Sequence, residues 1–444
     1  MSVVVKSNKT FAGDTSLLPP KDGMPTGASR YADFINGLYI NGETGVNDPS
    51  SLMGRSVTYT RNAQDVRINS AGQYETIAAG VAPIDYDPHS KRRLGLRAMV
   101  ELANLMPLAL TDGLYAASAA SVAPRTDGFY TLTATGSGSA AHSITYTPAA
   151  PASAAWGVSI AARANAGRYI RISIQAADGS SLGFGDFDLI EGEVVSTSTA
   201  ALRAGIAPDV SGSWRCSVLV GTAIMASCVI SMLAADSTGA LVPAFVQGGE
   251  SVDLGYPSTA ANSQGSFAGA ETVYVPTGVA PVSPTIYFSG VMSLSSGSTW
   301  LMRFKVGKPM GATSVSRRNR IGGIYTTASS GFGVHFGYCH FLSETPGIPY
   351  VAIAQTDGSY VEYLLATTPA KEGDMLEIGV SISGTKVTVV WNGSAVGVYP
   401  IGALAAGIPF AMGARSAGGW YQKSVIYPVA LPASQMVSRI GSAL

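Results

Sequence analysis

Few groups in this 444-residue chain suit catalysis. Gly179-Ser-Ser-Leu-Gly183 matches the Gly-x-Ser-x-Gly pattern of a serine nucleophile. That pattern requires a strand before the serine and a helix after it. Here Asp178-Gly179 signals a turn, and the glycine-spaced run after Leu182 is not helical, so a hydrolase is not expected. Asp186, Asp188, Glu191 and Glu193 crowd one short stretch. A glycosidase acid pair stands roughly 5–10 Å apart across a cleft. On one strand Asp186 and Asp188 would point the same way at about 7 Å. The competing reading is a solvated strand edge and turn. His335, Cys339 and His340 suggest a metal, but on a strand His335 and His340 face opposite sides. His335 and Cys339 would lie about 13 Å apart along one face, too far for one ion with bonds of about 2 Å. Asp85, Asp87 and His89 are spaced like ligands, yet Pro88 marks the segment as a turn. No spaced acidic loop identifies a calcium site. No metal, cofactor or catalytic residue is therefore expected.

Flat aromatic rings with polar rims suit sugar binding. Trp420-Tyr421 follows Gly418-Gly419 and would sit at a loop edge. Trp420, Tyr421 and, more weakly, Tyr325 are the candidate ligand-binding residues, with Tyr338 behind them. Trp214 and Trp391 lie in alternating strands and read as core. The basic runs Lys91-Arg92-Arg93 and Arg317, Arg318, Arg320 read as solvated loops or subunit contacts.

The elements that position these groups read as strands. Lys and Arg number 28, Asp and Glu number 28, and charged residues are 13% of the chain. Nucleic-acid binding usually shows as a basic excess, which is lacking here. Helical bundles and charged disordered chains need far more Glu and Lys. The 52 glycines point to an all-β protein rich in turns. Phe129 to Ala134, Trp156 to Ala161 and Tyr169 to Ile174 alternate, with Ile170, Ile172 and Ile174 on one face. Short strands recurring every 10 to 15 residues or so signal a sandwich or jelly roll. Residues 216–235 carry no charge and imitate a membrane span. Their β-branched residues favour two strands around a turn at Gly221-Thr222. The three cysteines, Cys216, Cys228 and Cys339, are no disulfide framework, and MSVVVKSNKTF is not a signal peptide. Synthesis in a cytosol is the expectation. Asp357-Gly358 and Asn392-Gly393 are hairpin turns. Pro276, Pro281 and Pro284 mark a join between two sandwich units, and residues 1–55 read as an irregular arm.

Residues 58–105 resemble a recurrent module of tailed-bacteriophage structural proteins. The matches are Thr60-Arg61, Gly72, Asp85-Tyr86-Asp87-Pro88, Gly95-Leu96, Glu101 and Asn104-Leu105. Ala82-Pro83 stands where that family usually has an arginine. The next stretch resembles the carbohydrate-binding-module-like jelly roll of those proteins. It is matched by Ala154-Ala155-Trp156, Gly167-Arg-Tyr-Ile-Arg171, Phe187-Asp-Leu189, Gly192, Trp214-Arg-Cys-Ser-Val218 and Val273-Tyr-Val-Pro-Thr-Gly278. That match places Asp188 in a structural turn. Residues 285–436 resemble a concanavalin-A or laminin-G type sandwich through Val387 to Gly393, Phe410-Ala-Met-Gly413, Val425-Ile-Tyr427 and Leu431-Pro-Ala-Ser434.

The resemblance implies a virion-anchoring arm (1–55), a hairpin module (56–106), a jelly roll (107–282) and a lectin-like sandwich (283–444). It implies a non-enzymatic virion protein, made in the host cytoplasm. That protein would be a tail-tip or fibre-like receptor-binding protein that shows glycan-binding-like sandwiches to the host. It would be held to other virion proteins by the arm and repeated as a homotrimer, without nucleic acid or membrane insertion. A head decoration, head fibre or baseplate part is the alternative, favoured by zero net charge and a mean hydropathy of +0.24. A capsule depolymerase is a third reading, for which no internal repeat is found.

Overall fold

The computed structural model describes residues 25–41, 46–47, 57–60, 64–98, 104–107, 109–136, 141–149, 153–262, 285–288, 297–307, 319–325, 332–338, 348–355, 357, 359–371, 373–402, 410–411 and 419–443. They form an all-β molecule with one α-helix among them. Four large antiparallel sheets pair into two sandwiches, and a two-stranded hairpin lies between these.

The first sandwich is a jelly roll over residues 104–262. Sheet I runs Glu193–Thr197, Ser181–Asp188, Tyr169–Gln175, Ser227–Ala235, Ser143–Tyr146, Tyr115–Ser118. Sheet II runs Ala120–Pro124, Phe129–Ala134, Ser251–Asn262, Ser153–Ala164, Trp214–Ile224, Ala201–Pro208. Ile170, Ile172 and Ile174 are buried, as their alternation requires, against Trp156, Ile160, Val218 and Met232. Residues 216–235 are strands, but the turn is not at Gly221. The strand continues to Ile224, and Gly221 is the extra residue of a bulge: Ala155 faces Thr222 while Trp156 faces Val220. The glycine marks a kink within a strand rather than a turn. The two strands lie in opposite sheets and do not pair.

The second sandwich is not confined to the C-terminal part of the sequence. Sheet III is built around Gly419–Tyr427, which pairs with Ser298–Val306 on one side. On its other side it pairs end to end with two N-terminal strands. Arg30–Asp33 covers Lys423 to Ile426, and Arg93–Ala98 covers Gly419 to Tyr421. Val57–Thr60 joins the edge of the facing sheet IV through Thr285–Phe288. The described part of the expected arm, and part of the hairpin module, are thus strands of the second sandwich. The jelly roll is an insertion within it. Burial drives this: Tyr31, Ala32, Phe34 and Leu96 are at most 4% exposed and pack in the same cores as Trp300, Phe304 and Val425.

The described residues of Leu94 to Leu105 include no helix: they belong to the strand Arg93–Ala98 and, at Asn104, to a single bridge. The helix lies instead at Ala433–Ala443. Met436 and Ile440, one turn apart, bury against Leu301, Val390 and Val425 on the outer face of sheet III. Asn392 and Gly393 both have positive φ (43° and 73°), the type I′ geometry that the Asn-Gly pair predicts. Gly358 lies outside the described residues.

Candidate functional site

The hairpin Asp65–Ile68/Tyr74–Ile77 joins the two sandwiches. Ile68 and Tyr74 pack on Phe129, Ala161 and Val210, on the outer face of sheet II. Gly255 leaves the space that the Phe129 ring fills, since a Cβ there would meet the ring at 3.0 Å. Under this contact lies a closed polar cluster. Arg215 donates to Asp209 Oδ2, Tyr74 Oη and the Tyr256 carbonyl, each at 2.6 Å. Tyr74 Oη donates in turn to Asp209 Oδ1 at 2.6 Å. Burial, then the neighbouring Asp209, pushes the Tyr74 phenol well above its ordinary pKa, so it stays a donor. Tyr256, at a left-handed φ of 47°, sets its ring edge-on to Phe129.

Toward the second sandwich Arg97 is 6% exposed and donates to Asp65 at 2.9 Å, with Asp85 at 3.5 Å. Asp85 also accepts from Trp420 Nε1 at 3.1 Å and from the Ile68 amide. Burial raises the Asp85 pKa against the opposing pull of Arg97. Asp87 accepts from the amides of His89 and Ser90, so it caps a turn. His89 Nε2 lies 3.1 Å from the Asp209 carbonyl, toward the jelly roll. The Asp85/Asp87/His89 trio diverges, as a turn requires. No metal-binding group of three His, Cys, Asp or Glu occurs among the described residues.

Asp186 and Asp188 are each clamped by an arginine. Arg171 binds Asp186 with two nitrogens at 2.6 and 2.9 Å, and Ser196 Oγ donates to it at 2.6 Å. Arg168 binds Asp188, which also accepts from the amides of Ile190 and Glu191. Burial works against its ionisation, but these donors outweigh it and hold the Asp188 carboxyl below its ordinary pKa. Gly179-Ser180 is the turn into the strand Ser181–Asp188, with Ser180 bonded to Asp178.

The candidate sugar-binding aromatics separate. Tyr421 is fully buried: its ring packs on Phe304, and its hydroxyl donates to the Ile321 carbonyl. It offers no face to a ligand, because the register that turns Trp420 outward turns Tyr421 into the core. Trp420 is half-buried between Lys305 and Arg97, with its indole N–H on Asp85. The backbone of Tyr325 ends the strand Asn319–Tyr325, and its side chain lies outside the described residues. So do the side chain of Tyr338, Cys339, His340, Arg317 and Arg318. Trp391 is core, as expected, and half-buried Trp214 donates to the Leu189 carbonyl.

A face that the sequence reading missed lies on the outside of sheet IV. The strands Phe332–Tyr338, Pro349–Ala354 and Tyr360–Leu364 pair so that His335, Ala352 and Glu362 stand in one row. The His335 ring is tilted against Tyr360 at 5.4 Å and edge-on to Tyr350 at 5.8 Å. Tyr360 is 41% exposed, whereas His335 and Tyr350 are buried. The signal was present in the alternation Tyr360, Glu362, Leu364, but nothing in the sequence says that His335 lies beside it.

No family model matches the chain, and no curated protein matches it. Solved structures with similar parts include toad ovary galectin in complex with thio-digalactose: 13% identity, TM-score 0.24, 31% of this chain and 96% of that one. Another is domain 4 of an extracellular arabinanase from Geobacillus stearothermophilus in complex with arabinotriose: 16% identity, TM-score 0.25, 35% of this chain and 71% of that one. A third is the alginate lyase from Alteromonas sp. 272: 14% identity, TM-score 0.24, 36% of this chain and 72% of that one. Each likeness covers about a third of this chain.

Proposed function

We propose that the chain is a non-enzymatic structural protein of a tailed-bacteriophage virion, a tail-tip or fibre-like part that holds β-sandwiches against the host surface. The observation that carries this reading is the joint. The segment that resembles the phage module is bonded to the jelly roll through Tyr74 with Asp209 and Arg215, and to the second sandwich through Asp85 with Trp420. Such a joint suits a part that must present two lectin-like units in fixed relation. The Arg168 clamp that holds the Asp188 carboxyl below its ordinary pKa speaks against its use as a general acid, which must hold a proton to give. Anchoring falls to residues 1–24, outside the described residues. Weak single sites would act through avidity in a repeated, trimeric assembly.

The test uses the full chain, fluorescently labelled, with host cells and virus. Saturable binding that blocks adsorption is the expected result. Absence of binding by a folded, correctly assembled protein would overturn the receptor-binding reading in favour of a head decoration or baseplate part. Loss of capsular polymer on incubation would overturn the non-enzymatic reading.

A further inference from the structure

We infer that the outer strand of sheet II, Ala120–Pro124, is a contact between two copies of this chain, paired edge to edge about a two-fold axis at Ser121. The strand pairs with Phe129–Ala134 on one side, and no other described strand pairs with it. The Arg125 amide donates to the Phe129 carbonyl, and the Thr135 amide to the Ala119 carbonyl. Antiparallel strands bond at alternate residues. Ala119, Ser121, Ala123 and Arg125 therefore bond toward Phe129–Ala134, while Ala120 and Val122 turn N–H and C=O to the open side. Such an edge is a template for a further strand, and folds commonly blunt it. Three other edge strands of this molecule are interrupted by a bulge, with Val195, Leu202 and Val396 as the extra residues. Ala120–Pro124 pairs without interruption.

The occupant follows from the residues. No residue from 115 to 124 is charged, so a second copy meets no like charge, and a foreign strand finds no charge to pair with. Pro124 has no N–H to give. That leaves Ala120 and Val122 as the donors and centres the pairing between them. With the axis at Ser121, Ala120 of each copy exchanges N–H and C=O with Val122 of the other. Ala120 and Val122 are partly buried against the jelly-roll core, so the apolar layers of the two copies run together. Ser121 is exposed and meets its own counterpart. As a non-hydrogen-bonded pair the two serines lie about 4.5 Å apart at Cα, an approach that their small side chains allow. The contact is isologous, the same patch on both copies. It stands or falls apart from the three-fold repeat proposed above, because it joins copies in pairs whatever else joins them.

The experiment measures the mass of the full chain in solution by sedimentation velocity over a range of concentrations. A particle with an even number of chains is expected. Ser121→Glu and Ser121→Lys each set like charges across the axis. Each should halve the particle mass while circular dichroism shows the chain still folded. An equimolar mixture of the two variants should recover the mass, because each Glu then faces a Lys. Val122→Pro removes an outward N–H but no bond within sheet II, and should also halve the mass. Ser121→Cys should give a chain-to-chain disulfide on oxidation, seen as a dimer on a non-reducing gel. The proposal is overturned if the wild type is a monomer or an odd-numbered assembly throughout. It is equally overturned if folded Ser121→Glu keeps the wild-type mass, or if mixing the Glu and Lys variants fails to restore it.

Discussion

Arg215 and Asp209 are each 2% exposed and satisfy one another within the joint. Removing one partner strands the other charge. Arg215→Met should therefore cost about 3–5 kcal/mol, read by urea unfolding. Trp420→Phe keeps the ring but leaves buried Asp85 without its indole donor. A loss of about 1–3 kcal/mol is expected, together with unchanged cell binding by the folded protein. Acid stability has an identifiable contributor in Asp127. Burial opposes its ionisation, but hydrogen bonds from Arg163 and Arg125 prevail and lower its pKa to about 2. A carboxyl held below its unfolded value stabilises the fold above that value, and the contribution disappears as pH falls from about 4 to 2. Asp127→Asn should flatten this part of the stability-against-pH curve, measured by denaturant titration at successive pH values.

Strand pairing rests on a few glycines. Gly95 has φ +124°, and a Cβ there would stand 2.2 Å from the Tyr421 carbonyl. That carbonyl belongs to the strand that Arg93–Ala98 must pair with. Gly95→Ala should destabilise by more than about 1 kcal/mol and raise hydrogen exchange selectively at Leu96 to Ala98 and Gly419 to Tyr421. The Gly-Leu pair was legible as a strand motif. The reason for its glycine was not, because Tyr421 lies 326 positions further along the sequence.

The interleaved chain path has a consequence for dissection. Sheets I and II are complete within residues 104–262, so that fragment should fold alone, with a cooperative melt and dispersed NMR signals. A fragment of residues 283–444 lacks the strands Arg30–Asp33, Ile84–Tyr86 and Arg93–Ala98. It should remain unfolded or aggregate, because one side of Gly419–Tyr427 is then an uncovered edge. Adding residues 25–98 as a separate chain should rescue it if the pairing in sheet III is correct. Binding experiments on truncated second-sandwich fragments would for this reason test folding rather than recognition.

Local pattern alone determined the all-β class, the alternation of Ile170, Ile172 and Ile174, and the Asn392-Gly393 turn. Each depends on neighbours within a few residues, whose geometry the backbone dictates. The short helix Ala433–Ala443 carries its own local signal in Met436 and Ile440, one turn apart. Tertiary structure alone decided that N-terminal strands complete the second sandwich, that Tyr421 is core while Trp420 faces Asp85, and that His335 meets Tyr360. These outcomes turn on register and on pairing between residues far apart in sequence. A one-residue slip in register exchanges the two faces of a strand, and no local propensity records which partner strand fixes it.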